Sequence, residues 1–188
     1  LYWHDGQIRD EVYVYGSFVQ SKMAKAGVVC SNCHNPHSNA LVAEGNAACT
    51  QCHKPETYDA PTHHRHLATS TGSACVACHM PSQVYMGVDA RRDHSMRIPR
   101  PGVSLSTGSP NACTQCHEDR TDSWAYEALQ QWGVSTDFQE LSLVKARFAA
   151  DRGDVRSLPT LESVVTDDER SPLMRASLIE QLGNLGSR

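Results

Sequence analysis

Cysteine and histidine are the residues here whose type and spacing could do chemistry. All eight cysteines fall into four copies of one pattern: Cys30-Ser31-Asn32-Cys33-His34, Cys49-Thr50-Gln51-Cys52-His53, Cys75-Val76-Ala77-Cys78-His79 and Cys113-Thr114-Gln115-Cys116-His117. In Cys-x-x-Cys-His the two thiols add to haem vinyl groups as thioethers, and the adjacent imidazole reaches the iron from one face. Each copy therefore reads as one attachment point, and the chain as the carrier of four haem c groups. Zinc is the competing reading, because the first two pairs are 15 residues apart, within zinc-ribbon spacing. A closed four-cysteine site would leave His34 and His53 without work, and the next intervals, 22 and 34 residues, break the ribbon pattern. Disulfides fare worse, since pairs at i and i+3 close loops too small to staple anything.

An iron with two protein ligands carries electrons, whereas one with an open position can bind substrate, so the supply of second ligands matters next. His34, His53, His79 and His117 are the motif ligands. Six histidines lie outside the motifs: His4, His37, His63, His64, His66 and His94. Pro36 stiffens the turn in His34-Asn35-Pro36-His37 and aims His37 at a neighbouring haem. Within His63-His64-Arg65-His66, His66 is the expected ligand and His63 the second choice. His94 follows Asp93 and two arginines, a setting that suits a ligand beside haem carboxylates. His4 completes the distal set, with Trp3, Tyr13 and Tyr15 supplying an ordered element to dock it. Met86 and Met96 are alternative sixth ligands; Met80, directly after His79, cannot reach the other face of the same iron. Arg91, Arg92, Arg97 and Arg100 could pair with haem propionates or form an ordinary solvated loop.

Stepping from these residues to what must hold them, the chain is 188 residues long, enough for a domain or a domain and a half. Only 6% of it is aromatic, a thin apolar supply for a core of its own. A net charge of −4 excludes the basic footprint of a nucleic-acid binder. No apolar run reaches the 18 or so residues of a membrane span. No leader-like series precedes the first motif, which predicts that any signal peptide has been removed. Haem c is assembled on the exported side of the membrane, so the expected location is periplasmic or extracellular.

The expected fold is mainly α with extensive irregular structure. A haem-organised tetrahaem cytochrome domain spans residues 1–120, and a small helical domain spans 121–188. Apolar spacing predicts a helix over 17–25 that ends at Gly27. From Cys30 to His117, Pro, Gly, Ser and Asn interrupt every period, so haems rather than helices must organise the segment. Beyond Arg120 cysteine and histidine vanish. Asp122 can cap a helix through Trp132, stopped by Gly133, and a second helix runs from Asp137 through Phe148. Ser157 to Val165, then Pro172 to Leu182-Gly183, read as a helical hairpin.

The phrases Cys30-Ser-Asn-Cys33-His34-Asn-Pro-His37-Ser, His63-His64-Arg65-His66 leading to Cys75-Val-Ala-Cys78-His79-Met80-Pro81, and Asp93-His94-Ser95 through Ile98-Pro99-Arg100-Pro101 resemble the multihaem cytochromes of the doubled Cys-x-x-Cys-His and cytochrome c554-like group. The resemblance covers roughly residues 1 to 125. It implies low-potential, bis-histidine haems stacked in close pairs and respiratory electron transfer. Larger members carry further motifs upstream, so the start at Leu1 suggests a processed or truncated chain, or a subunit that borrows ligands from a neighbour. Leu158-Pro159, Leu161, Val164, Asp167, Arg175, Ala176 and Leu182 resemble one HEAT-like repeat, which cannot bury its face alone.

The expected function is electron transfer with redox proteins as partners and no substrate chemistry, so not an enzyme. Two alternatives stand beside it. One is a multihaem enzyme acting on nitrogen oxides or hydroxylamine. The other is a homo-oligomer or conducting filament with haem contacts between subunits.

Overall fold

A computed structural model describes residues 1–10, 13–135 and 140–186. The lead-in turns at Gly6 and bridges Tyr2 to Ile8 in antiparallel sense. Ile8 is 3% exposed, and its N–H donates to the Asp93 carboxylate at 3.3 Å. Gln7 donates its side-chain amide to the Pro110 carbonyl at 2.7 Å. The first ten residues thus grip a segment about a hundred residues further along. Helices α1 (Val14–Phe18) and α2 (Lys22–Lys25) follow. One continuous helix over 17–25 does not form, because the Ser21 hydroxyl accepts the Ala24 N–H at 3.0 Å and starts a new helix. The predicted stop at Gly27 does occur: its φ is +87°, and the Val28 N–H returns to the Met23 carbonyl at 3.0 Å.

Between Cys30 and His79 the chain moves in single turns: 3-10 turns at Cys30–Asn32 and Thr71–Ser73, and helices α3 (Ala47–Thr50), α4 (Pro55–Tyr58), α5 (Pro61–His64) and α6 (Cys75–His79). Pro55 and Pro61 open α4 and α5, where a missing N–H costs nothing. A hairpin not anticipated from the sequence comes next. Strand β1 (Ser82–Tyr85) pairs with β2 (Asp89–Arg92), Ser82 opposite Arg92, around Met86 and Gly87, both at positive φ. A further unanticipated helix, α7 (Pro101–Thr107), ends at Gly108. From Lys22 to Val84 not one residue is buried. A segment this ordered with no core of its own is shaped around something other than its side chains.

The remaining helices are α8 (Asp122–Gln131), α9 (Leu141–Asp151), α10 (Leu158–Val165) and α11 (Pro172–Gly186). Thr121, not Asp122, caps α8: its hydroxyl accepts the Trp124 N–H at 3.2 Å. Helix α9 begins at Leu141; Asp137, the expected start, lies outside the described residues. Helix α11 continues through Gly183, which sits in its interior rather than ending it. Leu143, Ala146 and Ala150 of α9 meet Leu161 and Val164 of α10 and Leu178 and Leu185 of α11 in a conventional apolar core. The hairpin therefore covers its face with α9. Helix α7 joins the two halves, packing on α8 where Gly102 lies against the Tyr126 ring, and on α9. Among the described residues, no helix is long and apolar enough to cross a membrane.

Leu161 and Leu178 are fully buried at the centre of this core. Leu178→Ala should therefore lower unfolding free energy by about 2–5 kcal/mol in a urea titration followed by circular dichroism. A loss under about 0.5 kcal/mol, the surface range, would contradict that placement.

Candidate cofactor site

Each Cys-x-x-Cys-His motif occupies one helical turn. The histidine N–H donates to the carbonyl of the first cysteine in the first, second and fourth motifs, at 2.9, 3.1 and 2.9 Å, while the third motif is α6 itself. A turn of this kind puts residues i and i+3 on one face, so both thiols of a motif address the same side. Asparagines lock the turns in place. Asn46 accepts the Cys75 N–H at 2.9 Å and donates to Asp59 at 2.8 Å and the Ser73 carbonyl at 3.0 Å, tying the second motif to the third. Asn111 accepts the N–H groups of Cys113 and Thr114 and donates to Asp122, fixing the fourth motif to α8.

All eight thiols are free. Burial pushes the Cys113 thiol up to about 11, with Cys78 the next cause. Burial and then Cys49 push the Cys75 thiol up to about 11. Cys33 is raised by burial and then by Cys49 and Cys52, and Cys78 by burial and then by Cys116. Burial thus favours the neutral form of these four thiols, and the thiols of successive motifs lie near one another: first by second, second by third, third by fourth.

The histidines form facing pairs across long sequence distances. Ring centroids of His34 and His94 are 6.3 Å apart and tilted by 31°. Those of His79 and His63 are 6.1 Å apart and nearly parallel, at 14°. Those of His117 and His66 are 6.2 Å apart at 34°. Two imidazoles bound through Nε2 to opposite faces of one metal, at about 2 Å per bond, place their centroids about 6 Å apart. Each of these three pairs joins a motif histidine to one outside the motifs, whereas a fourth close pair, His64 and His66 at 6.4 Å and 37°, joins two histidines outside them.

The second ring nitrogen is tied down in four of these rings. Nδ1 of His34 meets the Asn39 carbonyl at 3.1 Å, Nδ1 of His79 the Arg97 carbonyl at 2.8 Å, and Nδ1 of His94 the Arg92 carbonyl at 2.9 Å. Nδ1 of His66 meets the His64 carbonyl, and the His64 ring accepts the His66 N–H at 3.1 Å. A ring that donates through Nδ1 offers a lone pair at Nε2, the arrangement metal-binding histidines use. Among the described residues, three of the four non-glycine residues at positive φ sit at these carbonyls: Asn39 itself, Arg65 after His64, and Met96 before Arg97. Backbone in that region costs about 1–2 kcal/mol for a non-glycine residue, so the anchors are held against strain. Burial, then His79 and His64, lowers the His63 pKa and keeps that ring in the neutral form.

The other expected site residues are placed differently. His4 is turned to the helical half: its Nε2 meets the Asp151 carboxylate at 2.8 Å and its ring stands edge-on to Phe148 at 5.2 Å. The structure thus brings His4 to Asp151 and Phe148 rather than to a motif histidine, with its Nδ1 unpartnered among the described residues, and brings His63 to His79. His53 faces Tyr58 at 5.5 Å rather than a second imidazole. His37 is exposed on a loop shaped by Asn35, whose side chain accepts its N–H at 2.9 Å. Met86 lies at the exposed hairpin tip. Of the arginines, Arg91 pairs with Asp89 at 2.7 Å and Arg92 reaches the Met80 carbonyl at 3.1 Å. Trp124, which packs on His117 at 4.9 Å, and Gly72 are site residues the sequence did not reveal. A Cβ on Gly72 would lie 2.3 Å from the His66 ring.

Helical turns that present paired thiols, imidazole pairs at metal-bridging separation and a coreless segment around them all fit covalent haem. A family model for the doubled CXXCH motif matches residues 22–58. Comparison with curated proteins finds no match, and neither does comparison with solved structures. The doubled motif indicates covalently bound haem c with its iron, and hence electron transfer.

Gly72→Ala must push the His66 ring off its present seat. The expected outcome is loss of the His66–His117 ring approach, read as altered imidazole resonances in NMR spectra, with those of His34 and His94 unchanged.

Proposed function

We propose that this chain is an electron-transfer protein with four covalent haem c groups, one at each motif, working in the periplasm or outside the cell and turning over no substrate. The observation that carries the reading is the set of three facing imidazole pairs, His34–His94, His79–His63 and His117–His66. Bound haem iron would supply one-electron chemistry, and ligation by the paired imidazoles rather than by methionine would keep its potential low. The chain does the rest. Cys30, Cys33, Cys49, Cys52, Cys75, Cys78, Cys113 and Cys116 fix the porphyrin edges, and the carbonyl-tied rings present Nε2 at fixed positions. His37 is assigned to the remaining motif ligand, His53: its ring is not engaged by another described residue, and the thiols of the first two motifs are neighbours. That neighbour relation, repeated from motif to motif, supports a haem order that follows the sequence and lets electrons pass along it. Redox proteins at either end are the partners this implies.

Iron quantified per chain, with an EPR spectrum of the oxidised holoprotein, tests the reading directly. Four low-spin ferric haems are expected; a high-spin haem in the wild type would move the chain towards the enzyme alternative, and absence of haem iron would end the proposal. Two variants separate the ligand sets. His63→Ala should convert one haem to high spin, whereas His4→Ala should leave all four low-spin signals in place. The reverse pattern would restore His4 to the ligand set.

A further inference from the structure

Apart from His37, whose ring is not engaged by another described residue, the rings of the candidate ligands are held in two ways. Backbone carbonyls tie His34, His66, His79 and His94. Among the described residues, His53, His63 and His117 make no such bond, and an aromatic side chain stands against each. Trp124 serves His117. A single residue, Tyr58, serves both others: its ring is edge-on to His53 at 5.5 Å and 82°, and edge-on to His63 at 5.5 Å and 85°.

Tyr58 is well built for this. It ends α4, with its N–H on the Lys54 carbonyl at 3.0 Å and the next N–H on the Pro55 carbonyl at 2.9 Å. Helix α5, which carries His63, packs on α4, and both begin at proline, so neither backbone is free to drift. An edge-on contact puts the positive rim of one ring against the negative face of another, which selects an orientation rather than merely filling space. His53 belongs to the second motif, and His63 faces His79 of the third. The ring therefore touches the ligand sets of two successive redox centres, and ligand orientation is one of the means by which a protein tunes an iron.

We propose that Tyr58 is a positioning residue shared by the second and third haems, holding the ring planes of His53 and His63 in a fixed mutual relation so that the two centres are tuned as a pair. The role belongs to the ring and not to the hydroxyl. This inference rests on the ligand reading above.

The test uses the holoprotein with Tyr58→Phe and Tyr58→Leu. Haem content, the low-spin EPR signals and the midpoint potentials from spectroelectrochemistry are the readouts. With Tyr58→Leu, two of the four low-spin signals and two potentials should move while the other two stay. Tyr58→Phe, which keeps the ring, should match the wild type. Unchanged signals in Tyr58→Leu, movement of one haem alone or of all four, or an equal effect in Tyr58→Phe would each overturn the proposal. Should Tyr58→Leu fail to take up its haem, the wild type gives a second measurement. NMR of ring-labelled tyrosine during stepwise oxidation should show the Tyr58 signal, assigned by its loss in Tyr58→Phe, moving in two separate steps. A single step would count against a shared role. Wild-type protein without low-spin haem is a different result, since it removes the underlying ligand reading rather than the role of Tyr58.

Discussion

An imidazole swings about two side-chain bonds unless its second nitrogen is held, and for His34, His66, His79 and His94 the hold on Nδ1 is what the site depends on. The acceptors are backbone carbonyls, so the loops that carry them cannot be arbitrary. The Asn39, His64 and Arg97 carbonyls each lie at or beside a residue driven into the left-handed region. The Asn35 side chain shapes the first of these loops by accepting the N–H groups of His37 and Ser38. Two backbone bonds hold the last one, from Asp93 N–H to the Pro81 carbonyl and from Arg97 N–H to the His79 carbonyl, each near 3 Å. What looks like irregular chain is in each case a bracket for one imidazole.

The two halves of the molecule obey different rules of stability. In the helical half, leucine, valine and alanine from three helices remove one another from water, and each leucine contributes in the usual way. Between Ser21 and Tyr85 there is no comparable interior. A polar chain with so little to bury would normally stay unfolded, and covalent macrocycles are the remaining source of apolar contact. The asparagine brackets at Asn46 and Asn111 then fix direction, because a side-chain amide that accepts from one element and donates to another joins them at set geometry.

Much of this was legible in the residues. The Cys-x-x-Cys-His repeats point to covalent haem, as the doubled motif over residues 22–58 indicates, and the histidines outside them include the three that lie against motif histidines. Gly27 and Gly133 end their helices as their type suggests. His66, the expected choice within its segment, does lie against His117, but that His63 rather than His4 would face a motif histidine was not legible, because proximity along the chain says nothing about which ring faces which. His4 illustrates the difficulty: its partner is Asp151, on a helix that composition alone assigns to another unit. The hairpin at Met86-Gly87 escaped notice because methionine is not a turn former, and Arg65 and Met96 adopt positive φ that arginine and methionine seldom show. Tertiary demand overrode local preference at these positions, and two of them adjoin the carbonyls that hold ligands.

The contact between His4 and α9 has a consequence for how distant parts of the chain support one another. Arg147, whose guanidinium is lowered below its ordinary pKa by burial, donates to the His4 carbonyl at 3.1 Å, while Asp151 takes the ring. These bonds fasten the start of the chain to a helix about 150 residues later, closing a single large loop in which every motif lies. Closing a loop that long costs about 4 kcal/mol or more in chain entropy, a cost that falls when the interior of the loop is already compact. Whatever draws the interior of that loop together also lowers the cost of the clasp, so the segment that carries the motifs and the contact between His4 and α9 are coupled although none of the residues in that contact belongs to a motif.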